Sequence, residues 1–524
     1  MAGLLEESNR FEKRLQNFQA ILPDELKKKH ETFSVNLRRE KRNETRAKKR
    51  YLIENSQQVD ISSEFNFKVE PLAELYPELN GDKSLKQKFE ILKSIFTENK
   101  IQSESLMILD MFKHWISLDR FFLLFHENLD ENFLKVLIEY VDFQIGEQAV
   151  HDSTWIICNI LSGPAEFTEC FIKLGGLEKI LNALSLKSMI VSEHIFWALA
   201  NIAGDEMEYS ILLIKKGVIG VIYEFLIEAN IESLAMQKVA LWCLVNISNA
   251  WAAMPPTELR KLLIILRTMI SIESNEVKCY CLEALCKISH KEDSKVQFVI
   301  DQGFIPFVLR NLKSSEESLL HSSITLIGNI CAGTHLQTQK MLDENILDLL
   351  LPLSDHPSWK IRKNIFWIIG NISGGTREQC EMFLDHEFLN VAIRGLLDYS
   401  YEVRLYASYI FTNTMHNTDE AGKMKIIAHN IFLGLATALA DPNQEYLVNI
   451  LEVCYYLLKA GENYEVNPIT QLFDYSGCLD AIERAQNHSN DIVCNACQTI
   501  IENFFGVEEV IEGDFLRSAK TLIE

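Results

Sequence analysis

The sequence predicts an all-α protein, built as a solenoid of about ten stacked helical repeats. Three observations support this prediction. Hydrophobic residues make up 48% of the 524 residues, in a chain that is too long for one compact core. Only 11 prolines and 22 glycines occur, which argues against a β-rich or disordered protein. From about residue 84 onward, apolar residues follow helical spacing almost throughout, and similar segments return at a fixed period.

Asparagines set the period of the repeat. Asn159, Asn201 and Asn246 end similar segments, such as FWALAN, and are spaced by 42 and 45 residues. The other positions of this frame are Ser117, Lys287, Asn329, Asn371, Asn413, Tyr455 and Cys497. A period near 42 residues lies in the range of armadillo and HEAT repeats.

Each repeat contains three helical segments. In one unit these read EFTECFIKL, which ends at Gly175-Gly176, then LEKILNAL, and then VSEHIFWALANIA. Gly217, Gly303 and Asn345 occupy the same bend between first and second helices, where a left-handed backbone is needed. Three helices with such a bend favour the armadillo unit over the two-helix HEAT unit. Stacked units should form a right-handed superhelix whose third helices line a concave groove.

A tryptophan precedes the asparagine by four residues in four repeats, so both lie on one helix face. The pairs are Trp155 and Asn159, Trp197 and Asn201, Trp242 and Asn246, and Trp367 and Asn371. A hydrophobic core does not need an asparagine beside each tryptophan, because a buried amide without partners costs about 1–3 kcal/mol. We therefore predict an outward-facing, peptide-binding ladder. Its amides bridge peptide N–H and C=O groups, and parallel rings form slots for Lys or Arg stems.

Charge is divided unevenly along the chain. Residues 1–50 carry 14 basic and 8 acidic residues, a net charge of +6. The remaining residues carry 37 basic and 65 acidic residues, a net charge of -28. This division indicates an arm that binds its own body or an acidic partner. It argues against direct binding of nucleic acid by the body, which would need a basic surface.

Two acidic residues lie beside the ladder. Asp205 follows Asn201 by one turn, and Glu193 precedes Trp197 by one turn on the same face. At a groove they would select a basic ligand. Each taken alone also fits an ordinary solvated surface carboxylate.

Other functional classes have little support. The 12 cysteines are scattered through apolar helical patterns, as is typical of reduced cysteines, and Cys494-Asn-Ala-Cys497 is a lone pair. The sequence contains no P-loop, GxSxG or HExxH motif, so we predict no catalytic site, metal site or cofactor. Neither a signal-peptide core nor an apolar run of 18 residues occurs. We expect a soluble intracellular protein without membrane insertion.

The domain organisation follows from these patterns. We predict a basic arm at 1–50, a polar linker at 51–83, the repeats at 84–506 and an acidic tail at 507–524. Within the arm, a helix starting near Asp24 has only a thin apolar face. Such a helix is marginal alone, so it should fold against a partner.

Three segments, in the right order, resemble the importin alpha family of nuclear import adaptors. The Trp-x-x-x-Asn ladder with NIAGD is one of them. RLQNF…DELKKKHETFSVNLRREKRNETRAKKR resembles the family's importin-beta-binding segment. CLDAIERAQNHSNDI…IIENFFG resembles its last repeat, which the nuclear export receptor grips. The likeness covers nearly the whole chain.

The resemblance implies two sites for basic nuclear localisation signals. The implied major site comprises Trp155, Asn159, Gly163, Thr168, Glu193, Trp197, Asn201, Asp205, Trp242 and Asn246. In it, Asp205 matches the acid that pairs with the principal cargo lysine, and Gly163 and Thr168 match the loop and hydroxyl that cap that lysine. The implied minor site comprises Asn329, Trp367, Asn371, Tyr409 and Asn413.

The sequence departs from the family pattern mainly in its second half. His194 replaces a glutamine in the major site. Tyr409 replaces a tryptophan, Thr325 an arginine, and Tyr406 and His335 replace acids of the minor site. Glu283 and Lys287 stand where the family carries Trp and Tyr, and they could pair along the helix. We therefore predict that basic cargo prefers the groove of repeats two to four.

The resemblance also implies a transport cycle. The arm would bind importin beta, and when free its Lys48, Lys49 and Arg50 would occupy the chain's own groove. Release would follow from the GTPase Ran acting on importin beta, and an export receptor would return the adaptor, which shuttles between cytoplasm and nucleus. The alternatives are an armadillo scaffold for signalling or adhesion, similar to catenins, and an enzyme. Binding of a basic peptide discriminates the adaptor from both.

Overall fold

The structure, a computed structural model, describes residues 76–79, 84–98, 103–116, 126–186, 188–229, 233–290 and 293–505. These residues form two compact units. The amino-terminal unit extends to Ile288, and the carboxy-terminal unit begins at Ser289. The predicted arm 1–50, frame position Ser117 and tail 507–524 lie outside the described residues, and the linker 51–83 is described only at 76–79.

The described residues of the amino-terminal unit form a succession of helices. They are α1 (Leu85–Glu98), α2 (Ser103–Ile116), α3 (Glu131–Glu139), α4 (Glu147–Ile160), α5 (Ala165–Lys173), α6 (Gly176–Ala183), α7 (Met189–Asp205), α8 (Met207–Lys215), α9 (Val218–Tyr223), α10 (Leu234–Ile247), α11 (Pro256–Met269) and α12 (Asn275–Ile288). Short 3-10 turns occur at Pro77–Leu79, Leu184–Leu186 and Ser248–Ala253, and a π-turn at Glu224–Glu228.

The carboxy-terminal unit repeats the same arrangement. Its helices are α13 (Asp293–Asp301), α14 (Ile305–Asn311), α15 (Glu317–Cys331), α16 (His335–Asp343), α17 (Ile346–Leu350), α18 (Trp359–Ser373), α19 (Arg377–Leu384), α20 (Phe388–Gly395), α21 (Tyr401–Asn417), α22 (Glu420–Ala428), α23 (Phe432–Ala438), α24 (Gln444–Lys459), α25 (Pro468–Tyr475), α26 (Cys478–Ala485) and α27 (Asp491–Phe504). A 3-10 turn occurs at Leu351–Leu353. The described residues contain no β-strand.

The predicted all-α armadillo fold is confirmed by the three-helix units. The third helices of successive repeats pack side by side within each unit, as α2, α4, α7, α10 and α12, and as α15, α18, α21, α24 and α27. Large apolar side chains of these helices, such as Phe196 and Ile369, are fully buried. Each repeat thus completes the core of its neighbour, as expected of stacked repeats.

The bends between first and second helices are formed as predicted. The backbone is left-handed at Gly175 (φ 77°), Gly217 (φ 75°), Gly303 (φ 76°) and Asn345 (φ 55°). Asn430 (φ 58°) and Gly477 (φ 77°) take the same place in later repeats. These residue types reach this conformation at little steric cost, so the chain can turn sharply between the two helices.

Candidate peptide-binding site

The structure brings the predicted major-site residues onto one face of the amino-terminal unit. Trp155 and Asn159 lie on α4, Trp197 and Asn201 on α7, and Trp242 and Asn246 on α10. Because α4, α7 and α10 pack in that order, the six side chains form two adjacent rows across the helices. We call this surface, with Glu283 and Lys287 of α12, the ladder face.

The asparagine row joins neighbouring repeats. Nδ2 of Asn201 donates to the carbonyl of Cys158 at 3.0 Å, and Nδ2 of Asn246 donates to the carbonyl of Ala200 at 2.9 Å. In each case the acceptor immediately precedes the asparagine of the previous repeat. All three asparagines are fully buried. The expectation that the amides point outwards is therefore wrong, because one N–H of Asn201 and of Asn246 is used to tie adjacent third helices together.

Part of this row keeps hydrogen-bonding capacity. Oδ1 of Asn246 is buried and accepts no hydrogen bond within the described part of the chain. An unmet buried acceptor costs about 1–3 kcal/mol, so this position lowers the stability of the row. The first asparagine differs, because Nδ2 of Asn159 donates to the carbonyl of Trp155 on its own helix at 3.1 Å.

The tryptophan rings do not form the predicted parallel walls. The rings of Trp197 and Trp242 meet edge to face, with centroids 5.5 Å apart and planes at 67°. This arrangement places the positive edge of one ring against the negative face of the other. A Lys or Arg stem would therefore contact tilted ring faces rather than enter a slot between these two rings.

An acidic group lies at the end of α7, on the side of the asparagine row. The hydroxyl of Thr168, which is fully buried on α5, donates a hydrogen bond to Oδ2 of Asp205. This bond fixes a half-buried carboxylate one turn beyond Asn201. The sequence predicted both residues for this site, but only the fold shows that they contact each other.

Glu193 adds negative charge on the tryptophan side of the same helix. It is half-buried one turn before Trp197. The pKa of the Cys158 thiol is raised well above its usual value, first by burial and then by the nearby Glu193 carboxylate. The field of Glu193 therefore reaches the floor of the ladder face.

Position 163 requires glycine for a steric reason that the sequence alone did not reveal. A Cβ at this position would lie 2.2 Å from Nε2 of His126, whose ring nitrogen is 3.2 Å from the carbonyl of Ile160. Any side chain here would displace that imidazole. His126 was not predicted as part of the site, since no local pattern links it to a residue 37 positions later.

His194 supports the first tryptophan. Its ring meets Trp155 edge to face, at 5.1 Å between centroids and 84° between planes. The His151 ring lies 5.0 Å from His194 and 6.2 Å from Trp155, and it bonds Asp152 through Nδ1 at 2.8 Å. Oδ1 of Asp152 also accepts a hydrogen bond from Nζ of Lys113 at 2.7 Å. Burial, followed by the neighbouring His151, lowers the pKa of His194 to about 3, so this imidazole is neutral at physiological pH.

The predicted minor-site residues lie together on α15, α18 and α21 of the carboxy-terminal unit. Nδ2 of Asn413 donates to the carbonyl of Gly370 at 2.8 Å, which repeats the bond made by Asn201 and Asn246. Asn329 instead donates to the hydroxyl of Ser289 at 3.0 Å. Nδ2 of Asn371 is buried without an acceptor in the described residues.

The aromatic residues of this second site differ from those of the first. The ring of Trp367 packs against Gly328 of the preceding third helix, where a Cβ would lie 2.1 Å from Cζ3. The hydroxyl of Tyr409 donates to Glu445, so its polar end is already engaged. Burial, with the Glu445 charge, raises the pKa of Tyr409 well above its usual value, and the phenol stays protonated.

The remaining departures also have local partners. Lys287 and Glu283 form the predicted ion pair along α12, with 3.5 Å between Nζ and Oε1. Thr325 accepts a bond from Nδ2 of Asn364 at 3.0 Å. The predicted self-binding cluster of Lys48, Lys49 and Arg50 lies outside the described residues.

No group of three His, Cys, Asp or Glu side chains in the described residues is placed to hold a metal ion. The twelve cysteines all lie in this part of the chain and are free thiols. No helix in the described ranges is long and apolar enough to cross a membrane.

Comparisons with known proteins agree with this architecture. The profile of the family described as "Atypical Arm repeat" matches residues 467–516. "Importin subunit alpha-1b" of Oryza sativa subsp. japonica is 28% identical over 370 residues, which cover 69% of this chain and 69% of that protein. "Importin subunit alpha-2" of Caenorhabditis elegans is 23% identical over 502 residues, which cover 94% of this chain and 92% of that protein.

A solved structure shows the same fold. The crystal structure of an engineered protein matches with a TM-score of 0.68, covering 79% of this chain and 98% of that one. At 17% sequence identity this likeness concerns the fold alone.

Proposed function

This chain is a divergent member of the importin alpha family, and on that premise we propose that it is a nuclear import adaptor. It binds basic nuclear localisation signals of cargo proteins on the ladder face of the amino-terminal unit and links them to importin beta through residues 1–50. The proposed role is binding and requires no chemical step or cofactor.

The observation that carries the proposal is the bond from the Thr168 hydroxyl to the Asp205 carboxylate. It holds one carboxylate oxygen in place at the end of α7, beside the asparagine and tryptophan rows. A positioned carboxylate is a strong acceptor for a lysine ammonium, because charge-assisted hydrogen bonds are about twice as strong as neutral ones. The position of the acid accounts for selection of a basic side chain.

The rings and amides supply the rest of the binding site. The half-buried faces of Trp155 and Trp197 suit the aliphatic stems of neighbouring Lys or Arg residues, with about 0.5–2 kcal/mol per cation–π contact. The Asn246 oxygen lacks a donor but is fully buried, so a peptide N–H reaches it only after the side chains that cover it move. Such backbone contacts hold an extended peptide without reading its sequence, which suits an adaptor with many cargoes.

The carboxy-terminal unit provides a weaker second site. Tyr409 offers a smaller aromatic face than tryptophan, and its hydroxyl is bound to Glu445. We propose that Asn329, Trp367, Asn371, Tyr409 and Asn413 add little to the affinity of basic cargo. Signals in two parts therefore gain less than they would from two equal sites.

The arm regulates the ladder face in this proposal. Its net charge of +6 opposes the -28 of the remaining chain. Lys48, Lys49 and Arg50, tethered at roughly millimolar effective concentration, suppress weak cargo until importin beta takes the arm. The nuclear export receptor binds the last repeat and returns the protein, which shuttles between cytoplasm and nucleus.

Peptide binding tests the proposal. We expect a labelled Lys-rich peptide, followed by fluorescence anisotropy, to bind a chain beginning at residue 70 roughly tenfold more tightly than the full-length chain. Trp197→Ala should weaken binding by at least about tenfold, since it removes the ring and its stem contacts. Trp359→Ala, which removes a tryptophan outside the ladder rows, is the matched control.

Each outcome has a separate meaning. Equal affinity of the two chains would remove the self-inhibition and leave the binding site. No binding by either chain would contradict the adaptor and favour the armadillo scaffold.

A further inference from the structure

In the last repeat of the amino-terminal ladder, a lysine makes the bond between third helices that an asparagine makes in the earlier repeats. Nζ of Lys287 donates to the carbonyl of Val245 at 3.1 Å. Val245 immediately precedes Asn246, just as Ala200 and Cys158 precede the asparagines of their repeats. Lys287 therefore makes the same bond between third helices, and it places an ammonium group where the earlier repeats have an amide.

This replacement changes what the position can recognise. An asparagine amide can both donate and accept, whereas a lysine ammonium only donates and carries a full positive charge. The Lys287 side chain is 13% exposed and bonded to a carbonyl, so its charge is held in place. At this step of the ladder the Lys287 side chain offers no acceptor to a peptide N–H.

The charge of the ladder face also changes along its length, from two carboxylates on α7 to two lysine–glutamate pairs farther along. Glu193 and Asp205 of α7 supply negative charge at the repeats of Trp155 and Trp197. Farther along, Lys238 of α10 and Lys287 of α12 carry ammonium groups, each of which is paired with a carboxylate. Their acidic neighbours are on α12, with Glu276 at 2.5 Å from Lys238 and Glu283 at 3.5 Å from Lys287.

From the ammonium group that takes the place of an amide in this row, we propose that Lys287 is a specificity-determining residue, which selects cargo with an anionic residue beyond its basic cluster. The inference rests on the proposed function, because it concerns the same bound peptide. The anion is a carboxylate or a phosphorylated hydroxyl, which share the chemistry that an ammonium recognises. A lysine at the same place in the cargo meets Lys287 and is disfavoured.

The fold sets the distance between the two parts of such a signal. α7 and α12 are separated by one intervening third helix, α10, and packed helices lie about 8–10 Å apart. Lys287 is then about 16–20 Å from the Asn201 step, which an extended peptide spans in about five or six residues. The anionic residue belongs five or six positions from the lysine that meets Asp205, on one side of it.

A peptide panel on the full-length chain tests this inference. The peptides share one basic cluster and carry Lys, Ser, Glu or phosphoserine five or six residues away, on either flank. We expect Glu to bind about fivefold more tightly than Lys on one flank only, with phosphoserine at least equal to Glu. Ratios measured on one protein cancel any competition from its own arm.

Variants separate the charge of Lys287 from its structural bond. Lys287→Asn restores an amide able to bond Val245, and should reduce the Glu-to-Lys preference to about one while the Ser peptide still binds. Lys313→Asn, which removes an exposed lysine of the carboxy-terminal unit, should leave the preference unchanged. Phosphoserine and Glu peptides distinguish regulated from constitutive signals.

The outcomes distinguish a failure of this inference from a failure of the proposed function on which it rests. If all peptides bind and the flanking residue has no effect, or if Lys287→Asn keeps the preference, the inference is overturned and the proposed function stands. If no basic peptide binds, the proposed function fails and takes the inference with it.

Discussion

His194 is one buried side chain of the ladder that makes the stability of the folded protein depend on pH. It is fully buried against the ring of Trp155 and beside His151, and its pKa is about 3 because of burial and of that neighbour. An unfolded histidine titrates near 6.5. Between these values the unfolded chain binds the proton and the folded chain does not. The contribution of His194 to stability is therefore complete above pH 6.5 and is lost as the pH falls toward 3.

We predict that His194→Gln makes folding less sensitive to acid. By linkage, wild type should lose about 2–3 kcal/mol more than the variant between pH 7 and pH 4.5. Urea titrations followed by tryptophan fluorescence at the two pH values measure this difference. His429→Gln, at an exposed histidine, is the control and should follow wild type. Parallel losses in wild type and His194→Gln would contradict the assignment.

At this scale the sequence predicts which residues make the ladder but not how they are bonded. The spacing of Trp197 and Asn201 on one helix face follows from helical geometry alone. The bond from Asn201 to the carbonyl of Cys158 joins residues 43 positions apart and depends on the register of two packed helices. That register is a property of tertiary packing, so the outward orientation expected for the amides was wrong.

Glycines at equivalent places on two neighbouring third helices differ in how closely the next helix packs against them. Gly328 on α15 lies under the ring of Trp367 on α18, and a Cβ there would be 2.1 Å from the ring. Gly370 on α18 occupies the same place one repeat later. Its nearest neighbour would be Cγ1 of Ile410, at 3.9 Å from a Cβ. The same residue type thus has a steric role in one repeat and none in the next.

We predict opposite effects of one substitution at these two equivalent positions. Gly328→Ala must displace the Trp367 ring and should destabilise the protein by about 1–3 kcal/mol. Gly370→Ala should be neutral or stabilise by up to about 1 kcal/mol, because alanine favours the helix and fits the space. Urea unfolding of both variants measures the effects, with Trp367 fluorescence shifted only in the first. Equal effects would contradict the packing described.

The bends between helices were the most predictable elements. Gly175, Gly217 and Gly303 stand at a fixed place in the repeat, and each adopts the left-handed conformation that glycine tolerates. The repeat containing His386 forms the same bend differently, since Nδ1 of His386 accepts a hydrogen bond from the N–H of Phe388 at 3.1 Å. A side-chain bond of this kind has no signature in the repeat pattern.

At the scale of the whole molecule, the repeat period predicted the fold, and the distribution of charge predicted the class of ligand. A period near 42 residues with three helices per unit was sufficient to predict the armadillo architecture, because each repeat only needs to match its neighbour. The division of charge between residues 1–50 and the rest indicated an arm that binds the body or an acidic partner, and the acids beside the ladder indicated a basic ligand. Pattern alone did not show that Glu193 and Asp205 precede Lys238 and Lys287 along one face, because this order needs the stacking of α7, α10 and α12.

The central claim is that Asp205 contacts a lysine of the bound signal, and a charge exchange measures it most directly. Anisotropy titrations would compare wild type and Asp205→Lys with a Lys-rich peptide and with a set in which each lysine in turn is changed to Glu. We predict that Asp205→Lys weakens binding of the parent peptide by about 30-fold. One Glu peptide, and only one, should recover much of that loss of affinity, through a coupling free energy of about 1–3 kcal/mol. If Asp205→Lys binds the parent peptide as wild type does, or if no Glu peptide restores binding, the account of this site is wrong.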